Sequence, residues 1–149
     1  MKYQVTGSCG HTYTTQLFGP GKNREYWLAR LAEEPCDECK EAARKAKIEK
    51  ENTESAAWAL DLGLPELTGS PKQVAWAESI RKNIYTAFDK LDKRVTDRYG
   101  DGWQYREAWE SFRREVFLNE EAKWYIEHQD NYNEYFIPDR FKEYLAKNK

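Results

Sequence analysis

Apolar residues recur at a helical spacing in the second half of the chain. From residue 74 they follow one another at intervals of three or four, at Val74, Ala77, Ile80, Ile84, Phe88, Leu91 and Val95. Ser70 is a favourable N-cap, Pro71 suits the first helical position, and Gln73 completes a capping box. The pattern predicts a helix of about seven turns that begins after Ser70.

Shorter periodic segments follow this helix. The turn residues of 99–102 separate it from a second predicted helix, whose apolar positions are Tyr105, Trp109, Phe112 and Val116. Asn119 is a candidate cap for a third helix, and Pro138 is suited to open a last one. The sequence therefore predicts an all-helical domain over 70–149.

The first part of the chain has a different pattern. Residues 3–6 and 12–18 alternate and are rich in Thr and Tyr, which predicts a β-hairpin. Residues 23–33 then predict a helix, and a run of good helix formers begins at Cys36. We expect an α+β fold: a small hairpin-and-helix unit over 1–52, a linker over 53–69, and then the helical domain.

Composition restricts the classes of function. The chain has 149 residues, 34% of them charged, and a net charge of −2. That balance argues against non-specific nucleic-acid binding, which depends on many cations that neutralise phosphates. The sequence has no apolar run of bilayer length and no signal-peptide core, and its thiols suit a reducing compartment, so we expect a cytoplasmic protein without membrane attachment.

The cysteines carry the most specific signal. Cys9 and His11 form a C-x-H pair, and Cys36 and Cys39 form a C-x-x-C pair after a gap of 24 residues. The two pairs use all three cysteines and one of the two histidines. Two tight pairs with a Cys₃His donor set are typical of structural Zn²⁺, and four protein ligands leave no open position for catalysis. Zinc binding on the order of 10 kcal/mol exceeds the few kcal/mol that loop closure costs.

Other interpretations of these residues remain open. Cys36 and Cys39 are spaced like a redox dithiol, although that interpretation leaves Cys9 and His11 unexplained. Unrelated free cysteines are the simplest alternative. A disulfide framework is disfavoured by the odd number of cysteines.

The placement of the two pairs resembles the treble-clef and zinc-ribbon group of small zinc modules. In the predicted layout, Cys9 and His11 lie on a β-turn, and Cys36 and Cys39 lie at the start of a helix. The resemblance covers about the first 45 residues, with C-x-H in place of the usual C-x-x-C turn and an extra helix between the pairs. Residues 64–81 also resemble a segment of uncharacterised small zinc proteins of bacteria and their phages. The resemblance implies a regulator or an inhibitor of host machinery, but modules of this group bind nucleic acid, bind proteins or only scaffold.

Two surfaces are candidates for binding a macromolecule. The first is a basic stretch beside the zinc pairs, for which a solvated helix face is the alternative: Lys40, Arg44, Lys45, Lys47 and Lys50. The second is a set of aromatic residues that can dominate a protein interface, for which core packing is the alternative: Trp76, Trp103, Tyr132, Tyr135 and Phe136.

We expect a non-enzymatic zinc protein that binds a macromolecule. A protein partner ranks above nucleic acid because the net charge is slightly negative. A nucleic-acid-binding accessory protein is the first alternative, and an enzyme that uses carboxylates of the helical region is the second. The sequence contains no recognised catalytic motif and indicates no small-molecule substrate.

Overall fold

The computed structural model describes residues 1–148 and confirms the predicted α+β fold. A two-stranded hairpin is followed by six α-helices. The chain divides into two compact units, Met1–Glu49 and the part from Lys50 onward. Each unit has its own architecture.

The first unit begins with an antiparallel hairpin. Strand β1 (Lys2–Thr6) pairs with β2 (Thr12–Gln16), with Val5 opposite Tyr13. The strands are short and rich in Thr and Tyr, residue types that suit a pleated, half-exposed surface. Val5 is the only buried strand residue, so the hairpin contributes little core.

Two helices follow the hairpin. Helix α1 (Gly21–Glu33) lies against β1 but has no buried residue; Leu28 and Leu31 are half-buried. Helix α2 (Asp37–Asp61) begins directly after Cys36. The first unit therefore places a β-turn and a helix start at the two positions that carry the cysteine and histidine pairs.

Helix α2 extends into the region that the sequence predicts to be a linker. It continues to Asp61, because its last turns contain good helix formers and also pack on the next helix. Ser79 donates a hydrogen bond to Asn52 at 2.9 Å, and the Trp58 ring meets the Tyr85 ring edge-on at 5.1 Å. Residues 53–61 are therefore helical, and the non-helical connection covers 62–70.

Beyond the end of α2, the second unit consists of helices joined by non-helical connections. Its elements are α3 (Pro71–Tyr99), α4 (Arg106–Phe117), α5 (Ala122–His128), a 3₁₀ turn (Gln129–Asn131) and α6 (Ile137–Lys147). Helix α3 begins with the predicted capping box: Gln73 N–H donates to Ser70 Oγ at 3.3 Å, and Ser70 N–H donates to Gln73 Oε1 at 3.1 Å. The core is aromatic and aliphatic, with Phe88 and Tyr125 fully buried.

Two polar features fix the packing of this core. The guanidinium of Arg81 is almost completely buried, donates to the Glu78 carboxylate at 2.7 Å and also donates to the Pro65 carbonyl at 2.7 Å. Tyr125 donates its hydroxyl hydrogen to the Val116 carbonyl at 2.8 Å. Both groups are satisfied inside the protein, as most buried polar atoms are.

The predicted cap of the third helix of this unit is wrong. Helix α5 has Glu121 at its N-cap, and no side chain caps it. Asn119 instead accepts a hydrogen bond from Glu121 N–H at 2.9 Å, so its side chain stabilises the turn before the helix. The reason is that residues 120–122 form an isolated β-bridge with Thr68 just before the helix begins. In this bridge, Thr68 N–H donates to Glu120 O, and Ala122 N–H donates to Thr68 O.

Candidate metal centre

Four potential metal ligands converge in the first unit. One ligand atom from each of Cys9, His11, Cys36 and Cys39 lies within 4.8 Å of every other. His11 Nδ1 is 3.2 Å from Cys39 Sγ and 3.6 Å from Cys36 Sγ. Cys36 is buried, Cys9 and Cys39 are half-buried, and His11 is exposed. The chain therefore brings together all the residues that the sequence predicts to bind a metal.

The turn between the strands positions the first pair. Gly7 N–H donates to His11 O at 3.1 Å, and Gly10 N–H donates to Gly7 O at 2.9 Å. Gly10 has a φ of +80°, a conformation that glycine adopts without steric cost. This tight turn allows the ligand atoms of Cys9 and His11 to lie within 4.8 Å of each other.

Gly7 also brings the turn close to the second pair. A Cβ atom on Gly7 would lie 2.7 Å from the Glu34 carbonyl oxygen and 3.2 Å from Cys36 N. In the same contact, Ser8 N–H donates to Glu34 O at 3.0 Å. The absence of a side chain at residue 7 therefore allows the two ligand segments to meet.

The second pair lies at the start of α2. Cys36 precedes the first helical residue, and its carbonyl accepts from Lys40 N–H at 3.0 Å, so Cys39 lies in the first turn. Free N–H groups and the helix dipole make this end of a helix favourable for thiolates.

Hydrogen bonds and desolvation separate the pKa values of Cys9 and Cys39. Cys36 N–H donates to Cys9 Sγ at 3.2 Å. This bond, with a second one from the His11 backbone, lowers the pKa of Cys9 to about 6. Hydrogen bonding to the Cys36 thiol, followed by desolvation and the nearby Cys9, raises the pKa of Cys39 to about 11. Three sulfur atoms at this separation repel when all are ionised, and a bound cation would relieve that repulsion.

The basic residues beside the centre are largely engaged by carboxylates. Ion pairs link Lys40 to Glu34 at 2.7 Å, Arg44 to Glu41 at 2.7 Å and, more weakly, Lys45 to Glu41 at 3.9 Å. Lys50 lies 3.8 Å from Glu54, and Lys47 is exposed on the same helix. The predicted basic stretch therefore lies on an exposed helix face that carries charges of both signs.

The aromatic residues predicted to bind a protein do not share one environment. Trp103 and Tyr132 pack against the core of the second unit; the rings of Trp103 and Phe141 are 5.9 Å apart. In contrast, Trp76, Tyr135 and Phe136 are exposed. His128 is half-buried, stacks on the Trp124 ring and hydrogen-bonds to the Trp124 carbonyl, which is a structural role.

Three residues near the metal centre or on exposed surfaces were not predicted from the sequence as functional: Gly7, Tyr26 and Trp27. Gly7 controls the approach of the two ligand pairs, and Tyr26 and Trp27 of α1 are exposed. The only signal for Gly7 in the sequence is its position two residues before Cys9. Tyr26 and Trp27 fit a packing face of α1 equally well, so their exposure depends on the tertiary structure.

Comparison with known proteins gives no family for this chain: no protein-family model, no curated protein and no solved structure matches it. None of the helices within residues 1–148 combines the length and apolar character that crossing a bilayer requires.

Proposed function

We propose that the protein is a non-enzymatic zinc protein whose metal-organised first unit presents a binding surface to another protein. The observation that supports this proposal is the convergence of Cys9, His11, Cys36 and Cys39 within 4.8 Å. Three sulfurs and one imidazole nitrogen form a donor set that Zn²⁺ favours and that Mg²⁺ and Ca²⁺ do not.

Two of the separations between donor atoms are close to those around a tetrahedral zinc ion. Zn–S and Zn–N bonds of about 2.3 and 2.0 Å imply donor separations of about 3.5–3.8 Å. The two measured separations from His11 Nδ1, 3.2 and 3.6 Å, are close to this range. His11 would bind through Nδ1, and the three cysteines would complete the shell. Four protein ligands make the site structural, and their placement on a β-turn and at a helix start supports the resemblance to treble-clef modules.

The first unit depends on such a site because it has almost no core. Only Val5, Gly7 and Cys36 are buried among residues 1–49. A metal that cross-links the turn to α2 supplies stability that burial does not, because zinc binding can contribute on the order of 10 kcal/mol.

Helix α1 supplies the proposed surface for the partner. Tyr26 and Trp27 are 61% and 48% exposed, and their rings meet edge-on at 5.5 Å. Arg30 lies over the Trp27 ring at 5.8 Å. Trp, Tyr and Arg are the residue types that dominate the binding energy of protein interfaces. A nucleic-acid surface is less favoured, since most of the nearby cations are already paired with carboxylates.

Two measurements test this proposal. Elemental analysis of gently purified protein should find about one zinc per chain, and Cys36→Ser should abolish it. Pull-downs followed by mass spectrometry should then recover a protein that is lost with Trp27→Ser. The matched control is Tyr135→Ser, a more exposed aromatic residue of the second unit, with which the protein should still be recovered.

The nucleic-acid alternative has its own readout. Binding to single- or double-stranded oligonucleotides, if present, should weaken steeply between 50 and 200 mM salt. Micromolar binding with that salt dependence, abolished by charge reversal at Arg44, Lys45 and Lys47, would overturn the assignment of a protein partner. Protein purified without any tightly bound zinc would overturn the metal assignment.

A further inference from the structure

The second unit contains a mostly apolar groove that neither the metal centre nor helix α1 uses. Its volume is about 330 Å³. Tyr85 of α3 and Phe117 of α4 lie along it, with their rings edge-to-face at 5.2 Å. Leu64 and Pro65 of the connection before α3 line one part of it, and Leu118 lines another.

The groove leaves apolar side chains in water. Leu118, the residue that follows α4, is 60% exposed, and Leu62, beside the lining residue Gly63, is 44% exposed. Single exposed leucines are ordinary, but here they lie at or next to a concave apolar surface. Removing apolar surface from water is favourable, so the groove favours an apolar occupant.

The charges along the groove indicate the sign of the charge that the occupant carries. Arg113 lies over the Tyr85 ring at 4.4 Å and forms an ion pair with Asp89. Arg114 lines the groove, and within residues 1–148 its side chain has no ion pair or hydrogen bond. Glu110 is the only acidic side chain in the lining. The unpaired guanidinium of Arg114 therefore favours a carboxylate next to the apolar contact.

We propose that this groove binds a short segment of a partner protein in which a large apolar side chain is flanked by Asp or Glu. The apolar side chain contacts Tyr85, Phe117 and Leu118, and a flanking carboxylate pairs with Arg114. The volume lies at the low end of the range of about 300–1,000 Å³ for ligand sites, which suits one or two anchoring side chains. The inference rests on the proposed role of this protein as a protein binder, but it does not depend on the metal.

The test uses a phage-displayed library of random 12-residue peptides, selected on the immobilised, zinc-loaded full chain. Enriched peptides should combine Leu, Phe or Trp with Asp or Glu. Synthetic copies are then titrated by fluorescence polarisation against Leu118→Glu and Arg114→Glu. Each substitution should weaken binding at least tenfold, and a Lys at the acidic peptide position should restore part of the affinity for Arg114→Glu.

Matched controls separate the groove from general surface effects. Leu60→Glu changes a leucine that is 76% exposed and lies outside the groove lining, and Lys90→Glu reverses an exposed cation elsewhere on α3. Both should keep the wild-type affinity within twofold. All four substitutions are at exposed positions, so the thermal midpoint should confirm that each variant folds.

Several results would overturn the inference. They are the absence of enriched peptides, enrichment of basic peptides, equal binding to Leu118→Glu, or a self-association in ultracentrifugation that Leu118→Glu removes. Peptides that lose binding only with Trp27→Ser would place the site on α1; that result overturns the groove but leaves the proposed function intact. If instead the groove binds acidic apolar peptides and pull-downs show no dependence on Trp27, the proposed α1 surface fails and the groove stands.

Discussion

The close approach at Gly7 makes a strong prediction about a residue that is not a ligand. In Gly7→Ala, the new methyl group would lie 2.7 Å from the Glu34 carbonyl oxygen and 3.2 Å from Cys36 N, both backbone atoms. Backbone atoms cannot rotate away, so the turn that carries Cys9 must move away from Cys36. Overpacking of this kind costs about 1–3 kcal/mol, which corresponds to a loss of zinc affinity of roughly 5- to 150-fold.

The assay is competition for zinc with a chromophoric chelator, supported by the thiolate absorption of the cobalt-substituted protein. Gly21→Ala is the matched control in the same unit, because its Cβ would meet only the Arg24 side chain at 3.7 Å, an ordinary contact. Gly21 opens α1, where alanine is tolerated, so its affinity should stay within twofold of wild type. An unchanged affinity for Gly7→Ala would refute the argument that this contact sets the geometry of the centre.

Three further predictions concern the metal and the core. Cys36→Ser, or removal of the metal by a chelator, should leave most of the helical circular-dichroism signal, because the second unit has its own core. A loss of helicity throughout the protein would show that the second unit does not fold independently of the metal. Arg81→Ala should lower the free energy of unfolding in urea by about 3–5 kcal/mol, because it leaves the Glu78 carboxylate buried without its partner. Arg94→Ala breaks an exposed ion pair and should cost less than about 1 kcal/mol. Similar losses for the two variants would contradict the claim that burial makes the Arg81–Glu78 pair more costly to break. Desolvation raises the pKa of Tyr125 to about 12, above an unfolded value of about 10. The contribution of Tyr125 to the free energy of unfolding is therefore complete below about pH 10 and declines by up to about 3 kcal/mol as the pH rises toward 12. The difference in unfolding free energy between wild type and Tyr125→Phe should follow that decline, and a difference that stays constant with pH would exclude it.

The features that the sequence predicts well are those set by neighbouring residues. The capping box at Ser70 and Gln73 involves atoms three residues apart, and the structure contains both of its hydrogen bonds. The ligand cluster is also predictable, although its two pairs are far apart in the chain, because few other arrangements explain C-x-H and C-x-x-C together.

The features that the sequence did not predict depend on distant contacts. Trp76 and Trp103 are equally apolar, yet the first is exposed and the second packs on the core, a difference decided by helices that are far away in sequence. Lys40 pairs with Glu34 across the boundary between two helices, a pairing that helical spacing alone does not indicate. The end of α2 was also missed, because residues 53–61 are stabilised by packing on α3 as well as by their own propensity.

The small number of buried residues before residue 50 has a consequence for the lifetime of the chain in a cell. With Val5, Gly7 and Cys36 as the only interior positions of the first unit, we expect a newly made chain to leave that region accessible to proteases until an ion arrives. Partial digestion of metal-depleted protein should therefore remove the amino-terminal region and leave a resistant helical fragment. On the proposed function, the supply of metal would then set how many molecules have an ordered α1 surface.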